Sequence, residues 1–126
     1  MEEQLVSFET AKLAKEKGFD ISCKGRYGLQ STILYSDYGF HINDADDIIH
    51  ISAPTQSLLQ YWIYKNFGYW VDVHRIGSKF RVNIECMNTC NSIWSNDIDY
   101  EEPIEALEKG LQEALKLIQD ELRNFT

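Results

Sequence analysis

Residues 70 to 87 read WVDVHRIGSKFRVNIECM, and this stretch decides the fold. Val71 and Val73 alternate with polar neighbours in its first half, and Phe80, Val82, Ile84 and Cys86 do so in its second. Gly77-Ser78 between the halves suits a two-residue primed turn, so the stretch reads as an antiparallel hairpin.

Upstream of the hairpin a helix is expected from about Pro54 to Phe67, because proline suits a first helical turn and Ser52 is an available cap. At 100° per residue Leu58, Leu59, Trp62, Ile63 and Phe67 share one half of this helix, its core side, and Gly68 ends it. Tyr61 and Tyr64 fall at about 300° and 240° from Leu58, on the opposite half. Downstream, Asn91 to Asn96 reads as a short edge strand around Ile93 and Trp94. A last helix should begin near Asp99, where Asp99 and Glu102 have capping-box spacing, and continue towards Leu122. Its apolar stripe is Ile104, Leu107, Leu111, Leu115, Ile118 and Leu122, long enough to lie across a sheet. Pro103 costs at most one first-turn hydrogen bond there. Gly110 interrupts good helix formers, which points to close packing against a neighbour.

The amino-terminal part opens with a helix over residues 7 to 17, capped by Ser7, apolar at Ala11, Leu13 and Ala14, and stopped by Gly18. Phe19 can pack back on Ala14. Two short strands divided by Gly25 and Gly28 follow between Ile21 and Tyr35. Residues 36 to 47 are polar and turn-rich, an expected mobile loop, before a further strand at Ile48 to Ile51. Together these elements predict one α+β domain over residues 1 to 126. Its two layers would be an antiparallel sheet of short hairpin strands and three helices, in the order α-β-β-β-α-β-β-α.

The 126 residues are 44% apolar and 25% charged, enough for one core. No apolar run approaches the roughly 18 residues that cross a bilayer, and Met1-Glu2-Glu3-Gln4 lacks a signal peptide's basic and apolar regions, so a cytoplasmic location is expected. Twenty acids against twelve bases give a net charge of -8, which opposes binding to nucleic-acid phosphate. The acidity is concentrated after residue 96, where nine acids meet three bases. Cys23, Cys86 and Cys90 are read as reduced thiols, since three cannot all pair within one chain.

Three segments carry a resemblance: SFETAKLAKEKGFD at Ser7 to Asp20, SAPTQSLLQ at Ser52 to Gln60 with Trp62, and YEEPIEALEKGLQEALKLI at Tyr100 to Ile118. They resemble a family of small uncharacterised proteins of Bacteroides-type bacteria and their phages or mobile elements. The resemblance implies a bacterial or phage origin and brings no catalytic residue with it. Where that family has charged residues after the second segment, this chain has Tyr61 and Tyr64, and Pro103 stands where alanine is common.

Tyr61, Trp62, Tyr64, Phe67, Tyr69 and Trp70 fall within ten residues. Trp62 and Phe67 have an ordinary place in the core. Tyr61 and Tyr64 do not, and tyrosine and tryptophan bury large areas at interfaces with few rotatable bonds to freeze. Tyr61, Tyr64, Tyr69 and Trp70 are therefore the candidate residues for binding a partner or ligand, self-association being the favoured use.

His41, Asp44, Asp46, Asp47 and His50 are the candidate metal ligands, weighed against a plain solvated acidic turn. An EF-hand loop from Asp44 would need Gly and Glu where Ile49 and Thr55 stand, so no metal or other cofactor is expected. Cys86 and Cys90 lack a second zinc knuckle, and His74 faces a strand on which the side of Cys86 is open. No phosphate loop, HExxH or GxSxG occurs.

The function expected is that of a small non-catalytic binding or accessory protein. One alternative sequesters a nucleotide, using the aromatics with Arg75, Lys79 or Arg81. Another is a phage-type inhibitor of a host defence enzyme, using the carboxylates around Asp97, Asp99, Glu101, Glu102, Glu105 and Glu108. A metal hydrolase on His41, Asp44 and His50 is the remaining class.

Overall fold

Gly77 takes φ 62° in the computed structural model, and from that turn the hairpin closes as its sequence predicts. Residues 4–19, 21, 23, 25–27, 33–35 and 51–124 are described. Strand β4 (Tyr69–Ile76) pairs antiparallel with β5 (Lys79–Cys86) from Ile76↔Lys79 to Tyr69↔Cys86. A glycine with positive φ at the first central position is what a II′ hairpin turn requires. Strand β6 (Asn91–Ser95) adds to the far side of β5, giving the sheet order β4-β5-β6. Ile84 pairs with Trp94 and Glu85 with Ser92, so Ile93 is an extra residue, a bulge on the edge strand.

These strands belong to the second of two compact units, Met1–Leu58 and Leu59–Thr126. Within it, α3 (Pro103–Asn124) packs on β4 and β5. Ala106, Leu111, Ala114, Leu115 and Ile118 of the helix are buried, as are Val71, Val82 and Ile84 of the strands. Gly110 accounts for the closeness of the approach. A Cβ added there would stand 2.5 Å from both Val71 Cγ1 and Val82 Cγ2.

The last helix starts later than its capping-box spacing suggests. Residues 99–101 instead run beside 79–81: Tyr100 N–H donates to Phe80 O (2.7 Å), and Phe80 N–H donates to Tyr100 O (2.9 Å). Asp99 pairs with Arg81 and Glu101 with Lys79 on either side of that bridge. The carboxylate expected to cap a helix is thus engaged across the chain.

In the first unit α1 (Phe8–Glu16) is capped by Ser7 Oγ, which accepts from Thr10 N–H. Its end has both bonds of a Schellman closure around Gly18 (φ 95°): Phe19 N–H to Ala14 O at 3.0 Å and Gly18 N–H to Lys15 O at 3.1 Å. Three short strands, β1 (Gly25–Tyr27), β2 (Ile33–Tyr35) and β3 (Ile51–Ala53), form an antiparallel sheet in the order β2-β1-β3. Helix α1 packs on β3, and the buried Tyr27 hydroxyl donates to Val6 O at 2.7 Å.

Helix α2 (Gln56–Phe67) crosses the boundary between the units and also begins later than expected. Ser52 lies in β3, Pro54 O accepts Val6 N–H, and Thr55 Oγ1 accepts Leu58 N–H. The cap is Thr55 because residues 51–54 are held in extended pairing. The class is α+β, with three helices and antiparallel strands.

Candidate interaction surface

Leu59, Trp62 and Ile63 put one side of α2 into the interior, at 0%, 8% and 0% exposure. That rotation leaves Tyr61 at 55% and Tyr64 at 39% exposed on the other side. The rings of Tyr61 and Tyr64 lie 6.4 Å apart, and Tyr64 meets Trp70 edge-to-face at 5.9 Å. Tyr61, Tyr64 and the half-buried Trp70 thus form a continuous aromatic row. Packing limits the freedom of Tyr64, so less side-chain entropy remains to be lost on binding. Tyr69 is not part of this row: it is 5% exposed, because alternation along β4 turns it to the face opposite Trp70.

Gln60, one residue before Tyr61, donates from Nε2 to Val71 O at 2.6 Å. This bond ties α2 to the edge of β4 and fixes where the aromatic row stands. Beside it, an open depression of about 430 Å³ is lined by Tyr64, Lys65, Asn66, Phe67 and Gly68 and by Met87 and Asn88 of the β5–β6 turn. That turn spans four residues and ends at Cys90, whose φ of 58° is unusual for a residue with a side chain. Cys90 N–H donates to Cys86 O at 2.8 Å across it.

The candidate cations are mostly engaged. Lys79 pairs with Glu101, and Arg81 with Asp99. The Arg81 pKa is raised above its ordinary value by the hydrogen bond and attraction of Asp99, with Asp97 adding to it. Arg75 is exposed near the hairpin tip. Of the acidic cluster, Asp99 and Glu101 hold those cations, while Glu102 O accepts Ala106 N–H at the start of α3. Further along, Glu113 pairs with Lys109 and Lys116.

The register settles the relation of His74 to Cys86. His74 stands opposite Arg81 and Cys86 opposite Tyr69, five positions away on β4, so the imidazole and the thiol point to different faces. Asp72 Oδ2 lies 3.7 Å from His74 Nδ1 on the same face as Trp70. His41, Asp44, Asp46, Asp47 and His50 lie outside the described residues. Among the described residues no group of three or more His, Cys, Asp or Glu is placed to hold a metal. No helix there is long and apolar enough to cross a membrane.

The local sequence gave no sign of Gln60 reaching a strand edge. The clasp between 79–81 and 99–101 did leave one, since KFR and DYE place opposite charges around an aromatic residue in each segment. The chain matches no protein family, no curated protein and no solved structure.

Proposed function

We propose that this chain is a non-catalytic binding or accessory protein of bacterial or mobile-element type, working in the cytoplasm. It self-associates through Tyr61, Tyr64 and Trp70. The observation that carries the reading is the exposure of Tyr61 and Tyr64, one turn apart, on a helix whose opposite side buries Leu59, Trp62 and Ile63. Aromatic rings of this size each bury roughly 150–250 Å² when covered, and a row of them in water favours association. The engagement of Lys79 and Arg81 by carboxylates supports a protein contact over an anion-binding pocket.

The test is light scattering over a range of concentrations. Wild type should show a mass near twice that of the chain. A Tyr61→Lys, Tyr64→Glu variant should keep its circular dichroism spectrum and move to the single-chain mass. A wild type that stays monomeric at high concentration removes the reading.

A further inference from the structure

We propose that the aromatic row and the two carboxylates at its sheet end form a site for an arginine side chain of a basic peptide. This site goes beyond self-association: it shares with that reading the exposure of the row, and it does not need two copies to meet.

The register of the hairpin brings the charges to the rings. Trp70 stands opposite Glu85 in the β4–β5 ladder, and directly opposed residues share a face with Cβ atoms about 4.5–5.5 Å apart. Alternation puts Asp72 on that face as well. Helix α3 packs on the other face, where Gly110 meets the buried Val71 and Val82. Glu85 and Asp72 therefore flank the indole of Trp70 on the outer face of the sheet, and Tyr64 meets the same indole edge-to-face at 5.9 Å.

These two carboxylates differ from others in the same unit. Asp99, Glu101 and Glu113 each hold a lysine or an arginine. Among the described residues the Glu85 carboxylate accepts from Asn83 Nδ2 at 3.4 Å, that of Asp72 lies 3.7 Å from His74 Nδ1, and neither meets a lysine or an arginine. The cations of the outer face, Lys79 and Arg81, are already engaged by Glu101 and Asp99. Negative charge is thus left over beside the rings.

Charge selects a cation for this place, and shape selects its kind. A guanidinium can stack on an aromatic face while its N–H edge pairs with a carboxylate through two bonds, whereas an ammonium is a point charge. An edge-to-face contact occupies the face of only one of its two rings, so the Tyr64–Trp70 corner keeps ring surface for such a stack. The row is open, with Tyr61 55% exposed, which suits a side chain carried on a peptide lying across the surface. The net charge of -8 draws a basic partner from a distance.

The probe is an acetylated, amidated Gly-Arg-Gly-Arg-Gly peptide, titrated at low salt and followed by amide and indole N–H shifts. Protein is held at a concentration where light scattering gives the single-chain mass, so the result does not depend on self-association. In wild type the Trp70 indole signal should move with the titration, a measurement that requires no variant to fold. Replacing both arginines by citrulline keeps the shape, removes the charge and should weaken binding by about tenfold or more. Glu85→Gln combined with Asp72→Asn should weaken it by about fivefold or more. Glu102→Gln combined with Glu105→Gln removes the same charge from exposed carboxylates at the start of α3 and should leave the constant within about twofold. An unmoved Trp70 signal, equal binding of the citrulline peptide, or an equal loss in the two double variants overturns the site. A monomeric wild type that binds the arginine peptide ends self-association and keeps this site, and a wild type that associates but ignores the peptide does the reverse.

Discussion

At Gly110 two opposed rules meet in one residue. A glycine within a helix is about 1 kcal/mol worse than alanine in intrinsic propensity. Yet the β-carbon of an alanine would stand 2.5 Å from methyl groups of Val71 and Val82. Those valines are 0% and 1% exposed and have no open space to retreat into. Overpacking of this kind costs about 1–3 kcal/mol, so Gly110→Ala should lower stability by up to about 2 kcal/mol despite the better helix former. Urea unfolding should report it as a lower midpoint. Adding Val82→Ala makes room on one side, and the loss specific to the Gly110 change should shrink in that background. The need for closeness at Gly110 was legible from its interruption of a run of good helix formers. The identity of the valines was not, because it depends on which strands the helix crosses. Tyr69 and Trp70 show a similar limit: adjacent in sequence and alike in chemistry, they separate into a buried and a half-buried ring once the phase of β4 is known.

Among the elements, the hairpin was readable because alternation, turn glycine and β-branched residues all point one way. Both helix starts were less readable, for a shared reason. Ser52 and Asp99 have the chemistry of caps, but each lies in a segment held extended by a partner far along the chain: β1 for Ser52 and residues 79–81 for Asp99. Tertiary pairing outweighs a local capping preference of about 1 kcal/mol. The clasp at 79–81 and 99–101 rests on two backbone bonds with exposed ion pairs around them. Exposed pairs contribute only about 0.2–1 kcal/mol. Lys79→Glu should therefore lower the unfolding midpoint modestly at low salt, by less than about 1 kcal/mol, while leaving the helical circular dichroism intact. At 1 M salt the screening length falls to about 3 Å and most of the deficit should disappear. A salt-independent loss would mean that the lysine stem, and not its charge, holds Glu101.

For the whole molecule, the three thiols sample both compact units and offer a chemical reading of how each is closed. Cys23, in the first unit, is 7% exposed, and burial pushes its pKa up to about 11. Only the thiolate attacks an alkylating reagent, so at pH 8 about one Cys23 in a thousand is in the reactive form even before access is considered. In the second unit Cys86 is half-buried at the end of β5, and Cys90 is exposed on the four-residue turn after it. Native alkylation with iodoacetamide at pH 8, followed by peptide mass mapping, should label Cys90 first, Cys86 more slowly and Cys23 only after denaturant is added. Raising the pH from 8 to 9 should leave Cys23 unlabelled, since it remains some two units below the thiol's pKa. This order also bears on the dimer. Cys90 belongs to the turn whose Met87 and Asn88 line the depression beside Tyr64, whereas the proposed contact is the row of Tyr61, Tyr64 and Trp70. A dimer built on that row alone should still react readily at Cys90, and protection of Cys90 that grows with concentration would extend the contact to the turn.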